Sequence, residues 1–225
     1  MTCMTALLPQ DCLLCGAASG QAALCLGCAA SLPQLNAPRC PLCALPTPVA
    51  GVCGACLAHP PHFDATAALW RYAFPLDQLI QSLKYAHRLA SADFLGKALA
   101  APPLAIRPDI VLPVPLAATR LRERGFNQSV ELARPLARRL GVPLELERIR
   151  RCRDTPPQAG LPWKERAKNI RHAFECRVDL AGKNILIIDD VMTTGATLNE
   201  LARTLKAHGA VRVENRVLAR AVKDA

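Results

Sequence analysis

Two adjacent carboxylates at the end of an apolar run, followed by hydroxyls and a glycine, make the segment of the chain densest in chemistry. It reads Ile185-Leu186-Ile187-Ile188-Asp189-Asp190-Val191-Met192-Thr193-Thr194-Gly195-Ala196-Thr197-Leu198. An unbroken apolar run such as Ile185 to Ile188 suits a strand buried on both faces of a parallel sheet. It would deliver Asp189 and Asp190 to the carboxyl edge, where ligands of α/β folds bind. The loop then opens a helix, whose free N–H groups attract phosphate. Small side chains at Gly195 and Ala196 let an anion approach closely, and Thr193, Thr194 and Thr197 add hydroxyl donors. The acids just upstream accept hydrogen bonds from vicinal hydroxyls. A phosphate and a diol gripped a few ångströms apart describe a ribose 5-phosphate. Paired acids after an apolar strand also occur in Walker B strands, but those need a partner loop G-x-x-x-x-G-K-[ST]. None occurs here, and Gly182-Lys183 is followed by Asn184.

A second chemistry lies at the other end. Nine of the eleven cysteines precede residue 57, and eight form the C-x-x-C pairs Cys12/Cys15, Cys25/Cys28, Cys40/Cys43 and Cys53/Cys56. The gaps are nine, eleven and nine residues, so one unit occurs twice with a 28-residue period. Disulfides would need an oxidising compartment, and no export signal is visible. Tetrahedral zinc needs four thiolates from two tight knuckles, which each unit supplies. Gly16, Gly27 and Gly54 fit the knuckle turns. The repeat favours sequential sites, Cys12, Cys15, Cys25, Cys28 and then Cys40, Cys43, Cys53, Cys56; a cross-braced arrangement would also use all eight thiolates. Both sites are full at four ligands, so the two zinc ions are expected to be structural. Cys3, Cys152 and Cys176 are left over.

The elements that must position these groups alternate. A helix is expected over Leu76 to Ala101, a short strand over Ile110 to Val114 and a helix over Asn127 to Leu140, stopped by Gly141 and open to a kink at Pro135. Val142 to Ile149 alternates like a strand. Thr197 to His208 reads as a helix ended by Gly209, and Val211 to Leu218 as a closing strand. His59 to His62 reads as a linker. Strands alternating with helices imply an α/β fold with a mostly parallel sheet.

The formal net charge is +10, and its distribution is uneven. Residues 1–60 carry only Asp11 and Arg39, whereas residues 111–176 hold fourteen Lys/Arg against seven Asp/Glu. A basic middle suits an anionic partner, a polyphosphate ligand or a nucleic acid. No apolar run reaches the roughly 18 residues of a membrane span. Met1 to Pro9 has neither a basic region nor a small-residue cleavage site, so no signal peptide and a cytoplasmic location are expected.

The strand–loop–helix resembles the motif of type I phosphoribosyltransferases that binds 5-phosphoribosyl 1-pyrophosphate (PRPP). The rest of the chain narrows the resemblance to the ComF family, a double zinc ribbon joined to a phosphoribosyltransferase-like domain. It is carried by the four C-x-x-C pairs, Leu83-Lys84-Tyr85, Leu112-Pro113-Val114-Pro115-Leu116 and Arg124-Gly125-Phe126-Asn127-Gln128. Thr155 to Gln158, Arg166, Asn169 and Ala173-Phe174 follow before the motif itself. The resemblance implies a double ribbon in residues 1–60 and, in residues 61–225, a mostly parallel sheet flanked by helices.

By the same resemblance, Asp189 and Asp190 contact the ribose hydroxyls and serve catalysis. Thr193, Thr194, Gly195, Ala196 and Thr197 bind the 5′-phosphate, with Val191 and Met192 in the same PRPP-binding stretch. The loop after Ile110 to Val114 takes the place where such enzymes bind pyrophosphate, which nominates Val114, Pro115, Arg120, Arg122 and Arg124. Guanidinium groups suit a diphosphate because they offer paired donors. Mg²⁺ is implied with PRPP. Arg151 to Asn169, basic and proline-containing, is a candidate lid. The implied reaction displaces pyrophosphate from PRPP by a nitrogen nucleophile. Purine-salvage enzymes of this class often place an Asp where this chain has Thr193, so no purine acceptor is readable. The alternatives are a non-catalytic PRPP sensor and a single-stranded-DNA-binding factor of competence. Against DNA binding, no aromatic lies between Phe126 and Trp163 to stack on bases.

Overall fold

In the computed structural model, which describes residues 10–35, 38–85, 89–153 and 170–222, the paired cysteines organise the N-terminal part into two small units. In the first, β1 (Gln10–Asp11) pairs antiparallel with β2 (Ala18–Gly20), and α1 (Leu26–Ala30) starts from an N-cap at Cys25. In the second, α2 (Gly54–Ala58) starts from an N-cap at Cys53. Helices of five residues do not hold themselves in water. Both therefore depend on what anchors the cysteine at their start.

The remaining elements are β3 (Ala65–Arg71), α3 (Leu76–Tyr85), α4 (Leu89–Ala98), β4 (Ile110–Pro113), α5 (Ala118–Arg124), α6 (Gln128–Leu140), β5 (Ile149–Arg151), β6 (Phe174–Cys176), β7 (Asn184–Met192), α7 (Ala196–Ala207) and β8 (Arg212–Arg220). Four strands form a fully parallel sheet in the order β3-β8-β7-β4, and β5 and β6 form a separate antiparallel pair. This is the α/β architecture expected. On one face Leu186 and Ile188 of β7 pack with Leu79, Ile80, Leu83, Leu95, Leu132 and Leu136 of α3, α4 and α6. On the other, Ile185 and Ile187 pack with Leu198, Leu201 and Leu205 of α7. Burial on both faces is the physical reason β7 reads as a continuous apolar run, with each such side chain contributing roughly 1.5–3 kcal/mol of transfer free energy.

The cysteine-rich part is joined to the sheet by more than its covalent link. The segment between its two units runs along β3, the edge strand. Arg71 N donates to Pro33 O at 2.9 Å, Thr66 N to Pro41 O at 3.1 Å, and the Arg39 guanidinium to Ala68 O at 2.9 Å. An edge that would otherwise expose unpaired N–H and C=O groups is thereby covered. His59 to His62 connects the parts but is held rather than loose at its end. The His62 N–H donates to Asn199 Oδ1 at 2.7 Å, and Phe63 is buried.

Several expected elements differ in extent. Of the helix expected over Leu76 to Ala101, the described residues form α3 and α4, ending at Ala98, and α4 packs against α6. Gly96 allows that approach, since a Cβ there would sit 2.4 Å from Pro135 Cγ. Pro135 itself is accommodated inside a continuous α6. The strand expected over Val142 to Ile149 is reduced to one bridge between Leu144 and Val111. The Glu145 carboxylate then accepts the N–H groups of Glu147 and Arg148, at 2.9 and 2.8 Å, and turns the chain before β5. β7 is longer than its apolar core, so Asp189 and Asp190 sit within the strand rather than after it. Among the described residues no helix is long and apolar enough to cross a membrane.

Candidate phosphate and zinc sites

Strand pleating separates the paired acids. Asp190 continues the row of Leu186 and Ile188 and is buried, with an ion pair to Lys84 of α3. Asp189 is half-buried at the sheet's carboxyl edge, and its Oδ1 accepts the Ser129 hydroxyl at 3.0 Å. Ser129 is placed by the N-cap of α6, where Asn127 Oδ1 accepts the Ser129 N–H at 2.9 Å. Burial, and then the Asp190 carboxylate, raise the Asp189 pKa to about 7. Burial alone would lower Lys84, but the Asp190 charge outweighs it and raises Lys84 above the ordinary lysine value. The result is one committed ion pair beneath one carboxylate poised to change charge near neutrality.

The loop that follows turns tightly into α7. Gly195 is the N-cap of α7 with φ 79°, a left-handed conformation that favours glycine, and a Cβ there would meet Met192 Cε at 2.6 Å. Met192 itself is 2 % exposed and fills the space under the loop. Thr193 is exposed, while Val191, Thr194, Ala196 and Thr197 are half-buried. The Thr194 hydroxyl accepts the Ala196 N–H at 3.2 Å. No acidic residue occupies the first turn of α7, so the positive end of the helix is not neutralised from within.

The expected pyrophosphate residues divide. Val114 N donates to Ile188 O at 2.9 Å, which sets Val114 and Pro115 next to Asp189, and the Asn127 side chain donates to Val114 O at 3.0 Å. The three arginines lie on α5 rather than in an open loop. Arg120 and Arg124, four apart, share a face and are half-buried; Arg122 is exposed and turned away from them. Arg124 Nη1 donates to Gln128 Oε1 at 3.0 Å. The candidate lid falls largely on residues 154–169, outside the described residues, as do Thr155 to Gln158, Arg166 and Asn169.

The eight paired cysteines gather as Cys12, Cys15, Cys25, Cys28 and as Cys40, Cys43, Cys53, Cys56, with the sulfurs of each group within 4.8 Å of one another. The sequential arrangement holds, not the cross-braced one. Tetrahedral zinc with Zn–S near 2.3 Å requires sulfurs about 3.8 Å apart. Cys15 and Cys25 stand at 3.8 Å and Cys43 and Cys53 at 3.6 Å. Burial tends to raise Cys12, but N–H groups of Cys15, Cys25 and Leu14 bring it down to about 6, while hydrogen bonding to Cys15 and Cys25 pushes Cys28 up to about 12. Four thiolates do not coexist at such separations without a cation between them, and zinc binding would release the protons. The residues fit structural zinc with no open coordination position. The reduced protein is expected to carry two zinc ions per chain, and metal analysis finding less than one would contradict this.

Ser129 and Arg220 touch the candidate site and are passed over by a reading from the sequence, which includes Lys84 only within Leu83-Lys84-Tyr85 and gives it no role. Lys84 had a signal: it stands four residues after the fully buried Ile80, on the apolar face of α3, where an unpaired lysine is not tolerated. Ser129 is two residues past the Asn127 cap. Arg220 ends β8 and carries no signature.

The Phosphoribosyl transferase domain profile matches residues 127–224, and the Double zinc ribbon domain profile matches residues 3–57. DNA utilization protein YhgH of Escherichia coli K12 is 36% identical over 165 residues, covering 70% of this chain and 73% of that protein. Competence protein F of Haemophilus influenzae is 32% identical over 178 residues, covering 73% and 76%. Among solved structures, the glutamine PRPP amidotransferase of B. subtilis aligns at 25% identity with a TM-score of 0.40, over 57% of this chain and 26% of that one; so loose an overlay carries no argument. With a double zinc ribbon followed by a phosphoribosyltransferase domain, and relatives of this identity over most of both lengths, the chain belongs to the ComF family.

Proposed function

We propose that the edge between β7 and α7 binds PRPP, and that residues 61–225 are a phosphoribosyltransferase working with a ribbon module of residues 1–60. The observation that carries this reading is the adjacency of Asp189, half-buried and hydrogen-bonded by Ser129, to a glycine-capped helix start with no internal counter-charge. Asp189 takes the ribose hydroxyls, with Asp190 locked to Lys84 below it. Thr193 to Thr197 hold the 5′-phosphate, and Val114, Pro115, Arg120 and Arg124 serve the pyrophosphate, with Arg122 on the other face of α5. Both acids are engaged by protein partners, so Mg²⁺ would take its ligands mainly from pyrophosphate and water. Bound there, it would supply charge neutralisation of the leaving pyrophosphate. Transfer to a nitrogen acceptor then rests on positioning and on donors aimed at the departing group. The thiolates of two zinc sites suit a reducing compartment, the cytoplasm.

Calorimetry with PRPP and Mg²⁺ tests the binding, and no heat of binding up to millimolar PRPP would end the reading. Incubation with a panel of bases and amines tests the chemistry. Pyrophosphate release that depends on an acceptor marks a transferase, whereas tight binding without release marks a sensor.

The names of the relatives, DNA utilization and competence, favour a second reading in which the basic middle of the chain meets single-stranded DNA. Such binding should weaken steeply as salt is added. A gel-shift series without complex even at low salt would discard it.

A further inference from the structure

Arg220 closes β8 opposite Met192, the residue that closes β7. It is 3 % exposed, and no carboxylate pairs with it among the described residues. Its Nη1 donates to the carbonyls of Met192 at 2.9 Å, of Ala221 at 2.9 Å, and of Thr193. Its Nε donates at 2.8 Å to the carbonyl of Cys43, a member of the second thiol group. Through that carbonyl the guanidinium lies beside the group Cys40, Cys43, Cys53 and Cys56. A buried cation needs a counter-charge. A zinc ion held by four thiolates carries net negative charge, and that centre is the partner the fold sets beside Arg220.

We infer that Arg220 is a positioning residue that braces the phosphate loop against the second zinc site, so that occupancy of that site sets the order of the loop. The brace spans two parts of the chain: one end grips a zinc knuckle and the other grips the Met192 and Thr193 carbonyls, from which the loop amides depart. Because coupling between two sites is reciprocal, a ligand that orders the loop also slows zinc loss from the second site. The inference rests on the loop being the phosphate site, but its structural half is measurable without any ligand.

Hydrogen-exchange mass spectrometry on the full chain reads it directly. The samples are zinc-loaded wild type, wild type stripped with a chelator, Arg220→Gln, Arg220→Lys and Cys12→Ser. Losing a charged hydrogen-bond donor corresponds to about tenfold faster exchange or more. That acceleration is expected at Thr193 to Ala196 in Arg220→Gln and in the stripped protein, with Ile185 to Ile188 still protected. Arg220→Lys should fall between, and Cys12→Ser, which disturbs only the first site, should leave the loop at wild-type rates. Unchanged loop exchange on stripping overturns the inference. So does loss of protection throughout the sheet, which would make zinc a global staple. Should Arg220→Gln fail to fold, the lysine variant and the stripped wild type carry the same decision. Titrating PRPP into the same samples keeps the two ideas apart. A zinc-loaded wild type that binds no PRPP refutes the ligand reading, while the exchange rates still judge the brace.

Discussion

Asp189→Asn is expected to weaken PRPP binding by roughly 100-fold above neutral pH, in line with the loss of charge-assisted hydrogen bonds, and to flatten its dependence on pH. In the wild type the Asp189 pKa is raised to about 7 by burial and by the Asp190 carboxylate. A diol needs the ionised acceptor, so wild-type affinity should fall about tenfold for each pH unit below that value. PRPP phosphates also titrate, but their contribution remains in the variant, and the difference between the two slopes isolates Asp189. Linkage gives an opposite sign for the free protein. The group is protonated in the folded state at pH values where the unfolded chain has already ionised it. Its contribution to stability is thus fully present below the ordinary carboxylate range and is lost as pH rises through about 7. Between about pH 5 and about pH 8 the asparagine variant, freed of that penalty, should gain thermal stability relative to ligand-free wild type, a difference in which the other carboxylates and the zinc thiols cancel. Calorimetric titration and thermal melts across this range check both limbs; a variant binding PRPP as well as wild type above neutrality would refute the assignment of Asp189. Asp190→Asn differs in kind, because it strands Lys84, whose charge is buried against it.

What could be read from the residues alone follows from where the physics is local. The buried parallel strand announced itself because both faces of β7 are covered, and Gly195 because the turn into α7 needs a left-handed residue. The zinc groups were legible because ligand spacing is a covalent constraint. β3 was not legible: Ala65-Thr66-Ala67-Ala68-Leu69-Trp70-Arg71 has little period, and its edge is completed by the Pro33 and Pro41 carbonyls, a long-range fact. The turn at Glu145 before β5 depends likewise on a carboxylate accepting two N–H groups, which alternation of side chains does not report. That Arg120, Arg122 and Arg124 stand on a helix was not legible, because no N-cap side chain marks the start of α5. Arg220 and Ser129 reach Cys43 and Asp189, 177 and 60 residues away, and no window of sequence holds both ends of such contacts.

The two zinc sites, though near copies in sequence, are expected to differ sharply in what they stabilise. Cys40, Cys43 and Cys56 are buried in the core cluster that also holds Phe63, Val217 and the α7 leucines. In the first group only Cys12 is buried; Cys15 is exposed, and Cys25 and Cys28 are half-buried. Cys56→Ser removes a zinc ligand and leaves three thiols and a hydroxyl inside that core beside the Arg220 guanidinium. A loss of about 3 kcal/mol is expected on denaturant unfolding, with the sheet still folded before denaturant is added. Cys15→Ser opens a site that is already half in solvent, where melting stays local, and about 1 kcal/mol is expected. Zinc release should follow the same order, with a chelator taking the first ion while the sheet remains folded and reaching the second only as loop protection is lost. Equal stability losses in the two variants would mean that the ribbon module acts as one unit, and the route from the second site through Arg220 to the phosphate loop would lose its physical basis.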